Sequence, residues 1–125
     1  MKIQDILSVF LATVLLLMAA LWIFTPKFAA EQLDMELLDS YGRNTQIRDF
    51  TALFLGTSIM SFVSFFTKQY QWIFCTGLVY VLAAIFNITA SFNHDAPIVF
   101  SALLTEITFC SMAFISAFLY KSNKL

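Results

Sequence analysis

Residues 98–120 read IVFSALLTEITFCSMAFISAFLY, an apolar run in which Glu106 is the one charged residue. A helix that crosses a membrane needs about 20 mostly apolar residues, so this run predicts a membrane span. On a helix with about 100° per residue, Glu106 shares one face with small residues, which are Ala102, Cys110, Ala113 and Ala117. Small residues let helices approach closely in a membrane, so we expect this face to contact protein and not lipid.

The composition of the whole chain agrees with a lipid solvent. Of its 125 residues, 60% are hydrophobic and 12% are charged, whereas water-soluble domains carry about 25% charged residues. The net charge is −1 and no basic cluster occurs, which argues against nucleic acid as a partner.

Motifs for metal ions, cofactors and catalysis are absent from the sequence. The two cysteines, Cys75 and Cys110, lie inside apolar runs, where we interpret them as small buried hydrophobic residues. No paired-histidine or CxxC spacing and no glycine-rich phosphate loop is found. We therefore assign no metal ligand, no cofactor and no catalytic residue.

Three further apolar runs precede residues 98–120. Together they predict four spans, at about residues 6–24, 47–66, 70–92 and 97–120. The first run follows Lys2 and so has the charge pattern of a signal peptide. It is long, ends on the aromatic residues Trp22 and Phe24, and lacks a small-residue cleavage site, so we predict that it is retained as a helix.

A charged, amphipathic stretch separates the first two spans. Thr25 as N-cap and Pro26 at the first helical position predict a short helix that continues to Leu38, with Gly42 as its stop. Its charges exclude a span, and we expect it to cover the outer end of the bundle; the alternative is a solvated connecting helix. Asn44 is the predicted N-cap of the next helix.

The short connections force the second, third and fourth spans to be antiparallel neighbours. The second span carries a polar stripe that should face a neighbouring helix, formed by Thr57, Ser61, Ser64 and Lys68. The third carries a face of small and polar residues, formed by Tyr80, Ala83, Ala84, Asn87, Ala90 and Ser91. We predict an all-α, membrane-embedded four-helix up-and-down bundle in which residues 1–125 form a single domain.

The basic residues predict the orientation. With four spans, both termini lie on the same side as the turn between the second and third spans. That side carries Lys2, Lys68, Lys121 and Lys124, and the opposite side carries Lys27, Arg43 and Arg48. The positive-inside rule then places both termini in the cytoplasm, and we expect the protein in a plasma membrane of the bacterial inner-membrane type.

Polar residues converge on the outer half of the predicted bundle, whereas the inner half has few. They form a candidate ligand-binding pocket of Arg48, Asp49, Asn87, His94, Asp95 and Glu106. A carboxylate in mid-span costs about 2.5–3.5 kcal/mol to insert, so Glu106 requires a partner or must be neutral. We predict Arg48 as that partner; the alternative is a protonated Glu106 hydrogen-bonded to Asn87 or to a threonine.

Three functions are compatible with this pocket. Glu106 could fix only the register of the bundle, it could hold an amphiphilic ligand of lipid or quinone type, or it could serve acid–base chemistry or proton-coupled transport. A single four-helix bundle is small for alternating access, so we favour an accessory or binding role over catalysis. The expected partners are membrane lipid, another integral membrane protein or a second copy of the chain.

Short motifs along the chain resemble those of the small four-helix membrane proteins of the DoxX-like group, in its uncharacterised branch. They are Ile47-Arg48-Asp49-Phe50 with Leu55-Gly56, then Asp95-Ala96-Pro97, then Glu106. The chain departs from that pattern at Thr51-Ala52 and Ala96, where the group favours glycines, and at Asn87, where it often has arginine. The resemblance implies a four-helix bundle. Most members of the group have no established activity, and some act as accessory subunits or assembly helpers of other membrane proteins.

Overall fold

A computed structural model describes residues 1–123, and within them the chain is built from five α-helices and no strand. These are α1 (Ile3–Phe24), α2 (Pro26–Gln32), α3 (Ser40–Thr67), α4 (Tyr70–His94) and α5 (Phe100–Ser122). All except α2 are long and apolar enough to cross a membrane. The chain is thus an integral membrane protein that crosses the membrane several times, and the predicted all-α fold is confirmed.

The four long helices close a ring. Helix α1 packs against α3, α3 against α4, α4 against α5, and α5 returns to α1, while α2 rests on α1. Leu11, Leu15 and Trp22 of α1 are completely or almost completely buried, so the first span is a core element of the bundle. We call the end with residues 3, 68 and 122 the terminal end, and the end with α2 and the α4–α5 turn the distal end. Lys124, counted above in the charge balance, lies outside the described residues.

The polar stripe on α3 faces its neighbours as the sequence predicts. The hydroxyl groups of Thr57 and Tyr80 lie 2.9 Å apart, and those of Ser61 and Thr76 lie 3.2 Å apart. On the side of α1, the Ser58 hydroxyl donates to the carbonyl of Ala12 at 2.7 Å. In lipid such interhelical bonds satisfy polar groups that have no access to water.

The segment between α2 and α3 differs from the prediction. Helix α2 ends at Gln32, not Leu38, and residues 35–39 are not helical. Side chains alternate there between partly buried and exposed positions, with Leu33, Met35 and Leu37 packed against the core. A period of two is the pattern of extended chain, and it places three apolar side chains on the bundle where a helix would turn one away.

Helix α3 begins at Ser40, so Gly42 lies inside it and is not a stop, and Asn44 is not its cap. The buried side chain of Gln46 holds the extended segment against the first turns of α3. Its Oε1 accepts from the amide of Leu38 at 2.9 Å, and its Nε2 donates to the carbonyl of Glu36 at 3.0 Å.

Helix α5 begins at Phe100, three residues later than predicted from Pro97. Asp95 has a left-handed backbone conformation, with φ of 54°, which ends α4. The residue before a proline is biased toward extended conformations, and Ala96 precedes Pro97 at this point, so residues 95–99 form the turn.

One of the two cysteines is also placed differently from the prediction. Cys110 is buried, as expected, whereas Cys75 is exposed on the outer surface of α4. In a membrane this surface is lipid-facing, where a small apolar side chain needs no protein partner.

Candidate functional site

A cavity of about 360 Å³ opens at the distal end between α3, α4 and α5, beside the segment that follows α2. We call it the distal cavity; its lining residues are Leu33, Met35, Phe50, Ala83, Asn87, Ala90, Ala96, Pro97, Val99, Ala102 and Glu106. A smaller space of about 60 Å³ shares Leu33, Ala83, Ala102 and Glu106 with it and also touches Tyr80 and Phe109. Glu106 therefore lies on the wall of both spaces.

The polar groups of the distal cavity are Glu106 and Asn87, and Asn87 is already engaged. Its Nδ2 donates to the carbonyl of Val99 at 3.0 Å, and its Oδ1 accepts from the amide of Val99 at 3.1 Å. The same Nδ2 lies 3.4 Å from Oε1 of Glu106. Because a hydrogen bond of this length is weak, Glu106 receives weak compensation from Asn87.

The predicted ion pair between Glu106 and Arg48 is wrong. The Nε atom of Arg48 lies 3.0 Å from Oδ1 of its neighbour Asp49, and both side chains are more than 60% exposed. Successive residues of a helix are separated by about 100°, so only part of this turn of α3 can face inward. Phe50 takes the inward position: it lines the distal cavity and stacks on Trp22 at 4.8 Å. The alternative partner in the sequence analysis, Asn87, is the one that contacts Glu106.

His94 and Asp95 are exposed at the end of α4 and do not line the distal cavity. Of the six candidate pocket residues, the structure thus brings together Asn87 and Glu106 and leaves the other four at the surface. The sequence analysis missed the apolar contribution of Leu33 and Met35. Their alternation with Asp34 and Glu36 was the available signal.

A second polar group lies at the terminal end, which the sequence analysis described as poor in polar residues; that description is wrong. The carboxylate of Asp5 accepts from Lys68 Nζ at 2.7 Å and from the hydroxyl of Tyr120 at 2.9 Å. The hydroxyl of Ser8 lies 2.8 Å from that of Tyr120. We call these four residues the terminal cluster. The sequence held a signal for this cluster, because Asp5 is the one acidic residue on the side of the bundle that carries Lys2 and Lys68.

The chemistry available at the distal cavity is that of one carboxyl group in apolar surroundings. Among residues 1–123, no three histidine, cysteine, aspartate or glutamate side chains are grouped so that they could hold a metal ion. Glu106 can accept hydrogen bonds or attract a cation, and the apolar walls can bury a hydrocarbon body.

Fold and cavity together define a class: a small α-helical membrane protein with a mostly apolar cavity at one end of its helical bundle. Comparisons of the chain with known protein families, with curated proteins and with solved structures find no match.

Proposed function

We propose that this protein binds a lipid- or quinone-like amphiphile in the distal cavity, with Glu106 holding the head group. The observation that carries this proposal is a carboxylate without a basic partner on the wall of an apolar cavity. Within residues 1–123, Glu106 forms no salt bridge. A purely structural acid in a span is expected to pair more completely than that.

The size and lining of the cavity suit an amphiphile. Its volume of about 360 Å³ lies within the range of roughly 300–1,000 Å³ that is typical of small-molecule sites. Nine of its eleven lining residues carry hydrocarbon or thioether side chains. An apolar body would therefore be buried there, while its polar end would meet Glu106.

The polar end of the ligand should donate hydrogen bonds. Asn87 hydrogen-bonds to Val99 through both its Nδ2 and its Oδ1. Most of the acceptor capacity of the two carboxylate oxygens of Glu106 therefore remains available. A hydroxyl, an amine or a quinol would supply the partner that an ionised Glu106 in a span requires, whereas an ionised acidic head group would be repelled by it.

The fluorescence of Trp22 can report binding in the cavity, because the Trp22 ring stacks on Phe50 at 4.8 Å and Phe50 lines the cavity. In a Trp72→Phe background, Trp22 is the one tryptophan that remains. We expect 11-bromoundecanol to quench its fluorescence saturably and at least tenfold more tightly than 11-bromoundecanoate. A hydrogen bond to a charged group contributes about 1.5–3 kcal/mol, which corresponds to that ratio.

Two variants and one control make this test specific. Glu106→Gln should reduce the preference for the alcohol, and Ala102→Phe should block both probes by filling the cavity. Asp95→Asn removes an exposed carboxylate at the same end and should change neither. Quenching that does not saturate, or that survives Ala102→Phe, would refute the proposal.

An accessory role is the second candidate, and the lipid-facing surface of α3 supports it. A Cβ atom added at Gly56 would meet nothing within 4 Å, and Ala52, one turn earlier, is exposed. Small residues in this arrangement allow another membrane helix to approach closely. The resemblance to the DoxX-like group, whose members include accessory subunits, points the same way.

For orientation, we propose that the terminal end faces the cytoplasm of a bacterium, with the distal cavity opening toward the outside. Among the described residues the terminal end carries Lys2, Lys68 and Lys121 with Asp5 as its acid, whereas the distal end holds the other acidic side chains. The positive-inside rule counts lysines and arginines and not net charge. The distal end carries three of them, Lys27, Arg43 and Arg48, and the sequence gives the opposite side four when Lys124 is counted, so an excess of one basic residue supports this assignment.

A further inference from the structure

We infer that this protein has a separate binding site for an anionic phospholipid at the terminal end, in a groove between α4 and α5. The groove has a volume of about 390 Å³, and its lining residues are Tyr70, Phe74, Phe114, Ala117, Phe118 and Lys121. We call it the terminal groove. It shares no lining residue with the distal cavity, so this inference does not depend on the function proposed above.

The packing of α4 against α5 forms the groove. A Cβ atom added at Gly77 would lie 2.6 Å from the ring of Phe114, so the glycine is what lets this ring rest on the backbone of α4. Phe74 and Phe114 meet at a centroid distance of 5.5 Å. Ala117, which is 3% exposed, has too small a side chain to fill the space, and Phe118, 68% exposed, stands beside it. The result is an apolar channel suited to a hydrocarbon chain.

A single positive charge lies at the end of this channel. Lys121 is in the last turn of α5, and its Nζ atom lies 5.3 Å from the centroid of the Tyr70 ring. No carboxylate within residues 1–123 forms a salt bridge with Lys121. The acid at this end of the bundle, Asp5, is occupied by Lys68 at 2.7 Å. Lys121 is therefore available to an anion from the membrane.

Charge complementarity identifies the occupant as an anionic lipid. Basic residues between membrane helices attract anionic head groups. Because Lys121 is in the last turn of a helix that is long and apolar enough to span the membrane, we expect the apolar groove at the level of the acyl chains and Lys121 at the level of the lipid phosphates. Tyr70, in the first turn of α4, is the type of aromatic residue that is enriched at this level. Another protein helix fits this place less well, because close helix packing needs small residues and the exposed ring of Phe118 obstructs it.

Native mass spectrometry of the detergent-purified chain can test this inference. The probes are palmitoyl-oleoyl-phosphatidylglycerol, which is anionic, and palmitoyl-oleoyl-phosphatidylcholine, which has the same acyl chains and no net charge. We expect the first phosphatidylglycerol to bind roughly fivefold more tightly, as one basic residue near a membrane surface contributes about 1 kcal/mol. Phosphatidylserine should bind as tightly as phosphatidylglycerol, because a lysine ammonium recognises negative charge and not the shape of the head group.

The variants distinguish the contribution of the Lys121 charge to lipid binding from that of the apolar groove. Lys121→Gln should abolish the preference, Lys121→Arg should keep it, and Lys27→Gln, the same charge change at the distal end, should leave it intact. Phe118→Ala should weaken both lipids equally and retain the preference, while Phe92→Ala, an exposed ring elsewhere on α4, should weaken neither. The inference is overturned if the wild type shows no preference, or if the preference survives Lys121→Gln.

Discussion

Asp5 is a buried acid whose charge is compensated from two other elements of the bundle. It is 8% exposed, and it accepts from Lys68 in the α3–α4 turn and from Tyr120 of α5. Its partner Lys68 is different, since 54% of that side chain is exposed. The loss of protein stability on replacing one member of this pair therefore depends on which member is replaced.

We predict that Lys68→Met destabilises the protein more than Asp5→Asn. Lys68→Met leaves a buried carboxylate without its cation, which we expect to cost roughly 1–3 kcal/mol, below the value for a fully buried pair because Lys68 reaches water. Asp5→Asn leaves a lysine that water can solvate and an amide oxygen that can still accept from Tyr120. Thermal unfolding in detergent measures both, with Lys121→Met as a control for loss of a lysine without an acidic partner. A larger loss of stability for Asp5→Asn than for Lys68→Met would contradict the assignment of Asp5 as the buried member of the pair.

Glu106 shows what the sequence can and cannot predict about a single residue. The helical periodicity placed Glu106 on a protein-facing side, and Glu106 does line a cavity between α3, α4 and α5. Its partner was predicted wrongly because a candidate at the right depth must also lie at the right angle around its own helix. Arg48 satisfies the first condition and fails the second, since Phe50 occupies the inward position of that turn.

At the scale of elements, Gly77 and Gly56 occupy contrasting positions. A Cβ atom at Gly77 would lie 2.6 Å from Phe114, whereas one at Gly56 would meet nothing within 4 Å. The first glycine is required by the contact between α4 and α5, and the second is not required by any contact within the described bundle.

We predict that Gly77→Ala destabilises the protein by about 1–3 kcal/mol, the usual range for an overpacked site. Gly56→Ala is the matched control and should be neutral or stabilising, because alanine is favoured over glycine in a helix by up to about 1 kcal/mol. Adding Phe114→Leu to Gly77→Ala should recover part of the loss. Chemical or thermal unfolding in detergent gives these differences, and equal effects at the two glycines would disprove this view of the α4–α5 contact.

Long elements were easier to predict from the sequence than short ones. The spans were recognised because each carries about 20 apolar residues, a signal that outweighs local detail. The segment after Gln32 was assigned to a helix on a few positions, and there Leu33 and Leu37 fit both a helical and an alternating pattern. The contacts of Gln46 with Glu36 and Leu38 decide between them, and such contacts between separate elements leave no periodic trace in the sequence.

At the scale of the whole molecule, the closed ring of α1, α3, α4 and α5 places Asp39 and Ser122 at opposite ends. Both are exposed. In a background in which Cys75 and Cys110 are replaced by alanine, we predict that Asp39→Cys reacts with a membrane-impermeant maleimide in intact cells. Ser122→Cys should react only after the membrane is permeabilised. Labelling in the reverse order would refute the orientation, and labelling of both from one side would refute four spans.

The double hydrogen bond between Asn87 and Val99 has one further consequence, for insertions and deletions. It anchors the chain at Val99 to the side of α4, so the number of residues between Val99 and Glu106 sets the direction of the carboxylate. One extra residue in that interval would rotate Glu106 by about 100° away from its cavity and toward neighbouring helices or lipid. An extra residue before Ala96, in the exposed turn, would leave that direction unchanged. Insertions are therefore tolerated in the turn before Val99 and excluded between Val99 and Glu106.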